Sequence, residues 1–106
     1  MRKTLIATAA VVTLSASAAW AAGIVAVDQK GMAFNTGALS IDKGTVVSFN
    51  NSDTTSHNIL VTGNGVNLNS GLQAPGVAFK APFLKPGVYG VMCGIHPKMK
   101  MTVTVK

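Results

Sequence analysis

Residues 85–105 read Lys-Pro-Gly-Val-Tyr-Gly-Val-Met-Cys-Gly-Ile-His-Pro-Lys-Met-Lys-Met-Thr-Val-Thr-Val. Lys85-Pro86-Gly87 is a turn signal. Beyond it Tyr89, Val91 and Cys93 fall on one side of an extended chain, with Val88, Gly90 and Met92 on the other. Further on, Met101, Val103 and Val105 alternate strictly with Thr102 and Thr104. That is a half-buried strand with its polar side in water. Two strands therefore flank a short loop carrying Cys93, His96 and Met99 in steps of three.

Upstream the pattern repeats in shorter pieces. Gly23–Val27 is a brief apolar run, and Leu39 and Ile41 alternate with Ser40 before a turn at Asp42-Lys43-Gly44. Thr45–Phe49 is β-branched and apolar and ends in Asn50-Asn51-Ser52-Asp53. Asn58–Thr62 reads as a strand, Gly63–Gly71 as a Gly/Asn-rich loop, and Val77–Lys80 as a weaker strand. No stretch holds a helical period. Short strands separated by turns predict an all-β sandwich or small barrel.

The N-terminus has a different character. Arg2 and Lys3 precede an apolar run from Leu5 to Leu14, and small residues lead to Ala19-Trp20-Ala21. A charged start, a short apolar core and an A-x-A end make a secretory signal over residues 1–21, with cleavage near Ala21 or Ala22. Thr8, Thr13, Ser15 and Ser17 dilute the run, whereas a spanning helix needs about 20 apolar residues. The expectation is export, to the periplasm, of a single domain over 22–106 with no stable membrane insertion. Cleavage after Ala21 leaves 85 residues, with seven lysines against three aspartates and a formal charge of +4 rather than the +6 of the whole chain. So small a domain has a marginal core, and a bound metal would add stability by mass action.

Composition narrows the chemistry. Asp28, Asp42 and Asp53 are the only carboxylate side chains and lie far apart, which leaves little for a paired-carboxylate hydrolase. The positive residues are scattered, and Arg2 is the only arginine, so nucleic acid is not an expected partner. Cys93 is the only cysteine, which excludes an intrachain disulfide and a binuclear copper centre requiring two thiolates. An unpaired thiol in an exported protein calls for a reason, and metal ligation supplies one.

The candidate ligands follow. Cys93, His96 and Met99 come from the C-terminal loop, and His57 lies 36 residues before Cys93. Two imidazoles, one thiolate and a weak axial thioether are the donor set of a mononuclear type 1 copper site. Soft sulfur donors suit Cu(I), imidazole suits both oxidation states, and a trigonal plane with a long axial bond is a compromise between them. A zinc site with the same ligands is the weaker alternative. For the axial donor, Met99 competes with Met101. Met99 is preferred, because Met101 is in phase with Val103 and Val105 and should point into the core.

These residues resemble the cupredoxin family, and within it most the amicyanin branch, over essentially the whole mature chain. The Gly-x-x-V-x-F-x-N strand appears as Gly44-Thr45-Val46-Val47-Ser48-Phe49-Asn50-Asn51, followed by His57-Asn58. The Pro-Gly-x-Tyr-x-x-x-Cys block is Pro86-Gly87-Val88-Tyr89-Gly90-Val91-Met92-Cys93. The loop Cys93-Gly94-Ile95-His96-Pro97-Lys98-Met99 has the short spacing of amicyanins. Plastocyanins and pseudoazurins place two more residues between His and Met.

The resemblance implies a Greek-key β-sandwich of seven to eight short strands and one copper ion per chain. It implies that the Asn58 amide hydrogen-bonds the Cys93 sulfur and that Pro97 stiffens the loop and removes a donor. It implies an exposed His96 edge in an apolar rim, with Ile95, Pro97 and either Met32 or Phe34, flanked by Lys98 and Lys100 as a docking surface. It also implies that His96 can leave Cu(I) and take up a proton at low pH. The expected function is a monomeric, non-enzymatic carrier of single electrons between redox proteins such as a periplasmic dehydrogenase or a c-type cytochrome. A copper-delivery protein on the same fold is the alternative.

Overall fold

The computed structural model describes residues 23–106, so the expected signal at 1–21 lies outside the described residues. Eight strands make up the regular structure there: β1 Ile24–Gln29, β2 Ala38–Ile41, β3 Val46–Asn51, β4 Ile59–Gly63, β5 Val66–Asn69, β6 Phe79–Pro82, β7 Gly87–Cys93 and β8 Lys100–Val105. They form two sheets, ordered β1-β3-β6 and β2-β8-β7-β4-β5. Pairs β1/β3 and β2/β8 are parallel, and the others are antiparallel.

The alternation in β7 and β8 is what closes the sandwich. Tyr89 and Val91 of β7 and Met101, Val103 and Val105 of β8 are buried, while Val88, Gly90, Thr102 and Thr104 face outward. They meet Val47 and Phe49 of β3, Ala81 of β6 and Val27 of β1 from the opposing sheet. Burial of such side chains is worth about 1.5–3 kcal/mol each relative to exposure, and it outweighs any local propensity. The Tyr89 hydroxyl is accounted for as well: it donates to the Lys85 carbonyl at 2.7 Å.

Two strands differ from the sequence expectation. The Gly/Asn-rich stretch after β4 contains β5, which pairs with β4 through Leu60↔Asn69 and Val61↔Leu68. Asn64 and Gly65 turn the chain with φ of 47° and 79°, the left-handed pair that a two-residue hairpin requires. The weak strand at 77–80 lies two residues later. Ala81 must sit opposite Val47 to enter the core, and Pro82 is tolerated at the end of an edge strand.

Candidate metal centre

The topology gathers the donors at one end of the sandwich. Cys93 ends β7 and is paired with Ile59 at the start of β4. His57 and Asn58 immediately precede β4, so the pairing that buries Ile59 also brings them to Cys93. His57 is held by two backbone bonds to Gln73, 3.0 Å from its N–H and 2.7 Å to its carbonyl. The loop after Cys93 closes on itself: Met99 N–H donates to the His96 carbonyl at 2.9 Å, and Cys93 N–H to the Met99 carbonyl at 3.1 Å. Pro97 sits inside this turn, where no backbone donor is needed.

Three donor atoms converge. His57 Nδ1 and His96 Nδ1 are 3.2 Å apart, and Cys93 Sγ is 3.7 Å from the first and 3.6 Å from the second. A single ion with bonds of about 2.0–2.3 Å to nitrogen and sulfur can touch all three. His57 and Cys93 are fully buried, and His96 is partly exposed. The donors fit copper by chemistry as well as by distance: one soft thiolate and two imidazoles, with Met99 buried on the same loop. Met101 is part of the hydrophobic core with Val103 and Val105, as its phase predicts. The chain thus positions His57, Cys93, His96 and Met99 as a type 1 copper site.

Hydrogen bonds around the donors orient them. Asn58 N–H donates to Cys93 Sγ at 3.3 Å, and Asn58 accepts from Gly94 N–H at 2.8 Å through its backbone carbonyl. Its side-chain amide donates to Asn69 Oδ1 at 2.8 Å and to the Gly71 carbonyl at 2.9 Å. Asn58 therefore touches both ligand segments and the β5 side at once.

Sequence reasoning passed over Asp53. Its Oδ2 lies 2.8 Å from His57 Nε2. The Met32 amide, the His57 imidazole and the Gly31 amide together hold this carboxyl down at about 2, against an ordinary 3.8. An ionised carboxylate can only accept, so Nε2 carries the imidazole proton and Nδ1 keeps its lone pair toward the other donors. Gln73 was missed too. Its buried amide donates to the Phe49 carbonyl and accepts from Gln29 Nε2, which braces the segment that holds His57. A carboxylate four residues before a candidate ligand was the available sign of Asp53.

The mouth of the site is a depression of about 380 Å³ lined by Met32, Ile95, His96, Pro97, Lys98 and Met99. Met32 and Ile95 are half exposed there, at 53% and 51%. Phe34 is elsewhere, its ring packed edge-on to Phe49 against the core. Lys98 borders the mouth, whereas Lys100 borders a separate groove over Leu60, Gly90 and Met92 on the outer face of the larger sheet.

Known proteins share this fold. A reduced tryptophan-to-tyrosine variant of amicyanin is similar at a TM-score of 0.73 and 25% identity, covering 79% of this chain and 83% of that one. A purple cupredoxin from Nitrosopumilus maritimus is similar at 0.68 and 29%, covering 77% and 99%. A copper-containing nitrite reductase from Thermus scotoductus SA-01 is similar at 0.71 and 29%, with 77% of this chain matched to only 22% of that much longer one. A search of the curated proteins returned no match. Residues 21–106 match the copper-binding proteins of the plastocyanin/azurin family. With its donor set assembled on a two-sheet all-β frame, the chain belongs to that family, the cupredoxins, and is amicyanin-like within it.

Proposed function

We propose that this protein is an exported, monomeric carrier of single electrons between larger redox proteins. The observation that carries the proposal is the buried convergence of His57 Nδ1, Cys93 Sγ and His96 Nδ1 behind a partly exposed His96. Bound copper supplies the Cu(I)/Cu(II) couple. The chain does the rest. Backbone bonds brace the segments that carry the donors, so little has to move on electron transfer. With four protein donors there is no position left for a substrate, which argues against catalysis by this domain. Nitrite reduction belongs to a relative of which this chain spans about a fifth.

Ile95, Pro97 and Met32 form an apolar rim around His96, with Lys98 at its margin. That surface suits an acidic redox partner, such as a c-type cytochrome or a dehydrogenase of the periplasm. Electrostatic steering raises the association rate and is weakened by salt. Export is supported by the signal pattern at 1–21.

The test is direct. Protein given Cu(II) should turn intensely blue, cycle reversibly with a mild reductant and exchange electrons rapidly with a c-type cytochrome. Tight Cu(I) binding with slow exchange would point to copper delivery instead. A colourless protein that holds zinc would overturn the proposal.

A further inference from the structure

The carboxylate of Asp53 has three partners, and they belong to two different parts of the site. Oδ1 accepts from Gly31 N–H at 2.9 Å. Oδ2 accepts from Met32 N–H at 2.9 Å and lies 2.8 Å from His57 Nε2. One oxygen atom is thus shared between a buried donor imidazole and a residue on the rim of the mouth.

The fold makes this meeting unavoidable. Strands β1 and β3 run parallel, with Gln29 opposite Asn51 at their ends. The chain leaving β1 as Lys30-Gly31-Met32 therefore passes beside the chain leaving β3 as Ser52-Asp53. Asp53 is fixed by its own N–H bond to Asn51 Oδ1 at 2.9 Å, and Asn51 is tied to the Thr55 and Gln73 carbonyls. On the other side, Gly31 and Met32 are both left-handed, with φ of 65° and 55°. Two such residues in succession aim their amides the same way, and both reach the Asp53 carboxylate. A left-handed Met is disfavoured by its Cβ; the Lys30 N–H bond to the Ala33 carbonyl closes the turn, and the carboxylate adds its hold on the two amides within it.

We propose that Asp53 is a positioning residue joining His57 to the Met32 turn, so that filling the donor set stiffens the rim a partner meets. This coupling deepens the reading of His57 as a metal ligand and depends on it. A cation at Nδ1 makes Nε2–H a stronger donor and fixes the carboxylate plane. Because the same carboxylate also accepts from Gly31 and Met32 N–H, fixing its plane narrows the freedom of the turn. Loaded and empty forms then present different rims, and a partner that prefers the firm rim prefers the loaded carrier, by linkage. Asparagine cannot replace this group: with one acceptor oxygen and an NH₂, it sets a donor against a donor at one of the three bonds.

The experiment measures amide hydrogen exchange in the purified protein, metal-free, with Cu(I) and with Zn(II). On loading with either ion, exchange at Gly31 and Met32 slows by about tenfold or more beyond whatever slowing the general stabilisation by the ion gives Lys43 and Gly44 at the far end, and slowing no greater at Gly31 and Met32 than there overturns the coupling. In Asp53→Asn the loading response at Gly31 and Met32 is lost. Met32→Gly, which relieves the left-handed position and leaves the carboxylate intact, keeps the response at Gly31. Equal exchange in the empty and loaded wild-type protein overturns the coupling, and that comparison stands even where a variant fails to fold. A response that persists in Asp53→Asn also overturns it. The Zn(II) arm needs no colour and no electron transfer, so failure of the electron-carrier proposal is seen separately, in the missing blue form.

Discussion

The backbone N–H of Asn58 donates to the sulfur of Cys93 at 3.3 Å, across the pairing that sets Ile59 opposite Cys93. A hydrogen bond to a thiolate withdraws charge from it, weakens its donation to the oxidised metal and so raises the reduction potential. Side-chain bonds to Asn69 and Gly71 keep the backbone of Asn58 in register. Asn58→Ala keeps the N–H but releases these ties. The expected outcome is a lower potential by voltammetry and a stability loss of about 1 kcal/mol by thermal melting. An unchanged potential would mean that the β-pairing alone sets the amide–sulfur contact.

Met99 and Met101 are both buried, at 3% exposure each, yet only Met101 belongs to the hydrophobic core. The two should separate cleanly on substitution. Met99→Gln shifts the visible spectrum and the potential with a small change in stability. Met101→Ala leaves the spectrum in place and costs about 2–5 kcal/mol, the usual range for emptying a core site. The reverse result would make Met101 the axial donor.

What was legible in the chain follows from distance along it. The C-terminal donors lie within seven residues, and the strands on either side carry a period-two pattern strong enough to place Tyr89, Val91, Cys93, Met101 and Val103 inward. Strand β5 was not legible as a strand, because only Val66 and Leu68 are apolar among Asn and Gly. Its Asn64-Gly65 turn was the stronger clue. The role of Asp53 had no local signature beyond its spacing from His57. It depends on the parallel register that brings residues 31 and 32 alongside, a relation across about twenty positions.

Gly94 follows the ligand cysteine for a steric reason. A Cβ placed there would collide with Asn58 Oδ1 and come within 3.2 Å of Leu60 Cδ1. Gly94→Ala must therefore push the Asn58 side chain off its bonds to Asn69 and Gly71. Overpacking of this kind costs about 1–3 kcal/mol. The reduction potential should fall as in Asn58→Ala, because both changes loosen the same residue. A Gly94→Ala, Asn58→Ala double variant should then lose less than the sum of the two single changes. Strict additivity would show that the glycine serves something other than Asn58.

Acid provides a final test, on the metal-free protein. The Asp53 carboxyl is lowered to about 2 from 3.8, first by the Met32 amide, then by the His57 imidazole and the Gly31 amide. A depressed carboxyl pKa means that the unfolded chain takes up the proton first as pH falls. The stability contributed by these bonds is therefore complete above pH 3.8, declines below it, and is gone once pH has fallen through about 2. Asp53→Asn has no proton to take up, so its melting temperature should fall less steeply than the wild type's between pH 4 and 2 and lie below it at neutral pH. Thermal melts across that range measure both slopes. Parallel curves would mean that the carboxylate gains nothing from its three partners in the folded state, and the bridge from His57 to Met32 would lose its energetic basis.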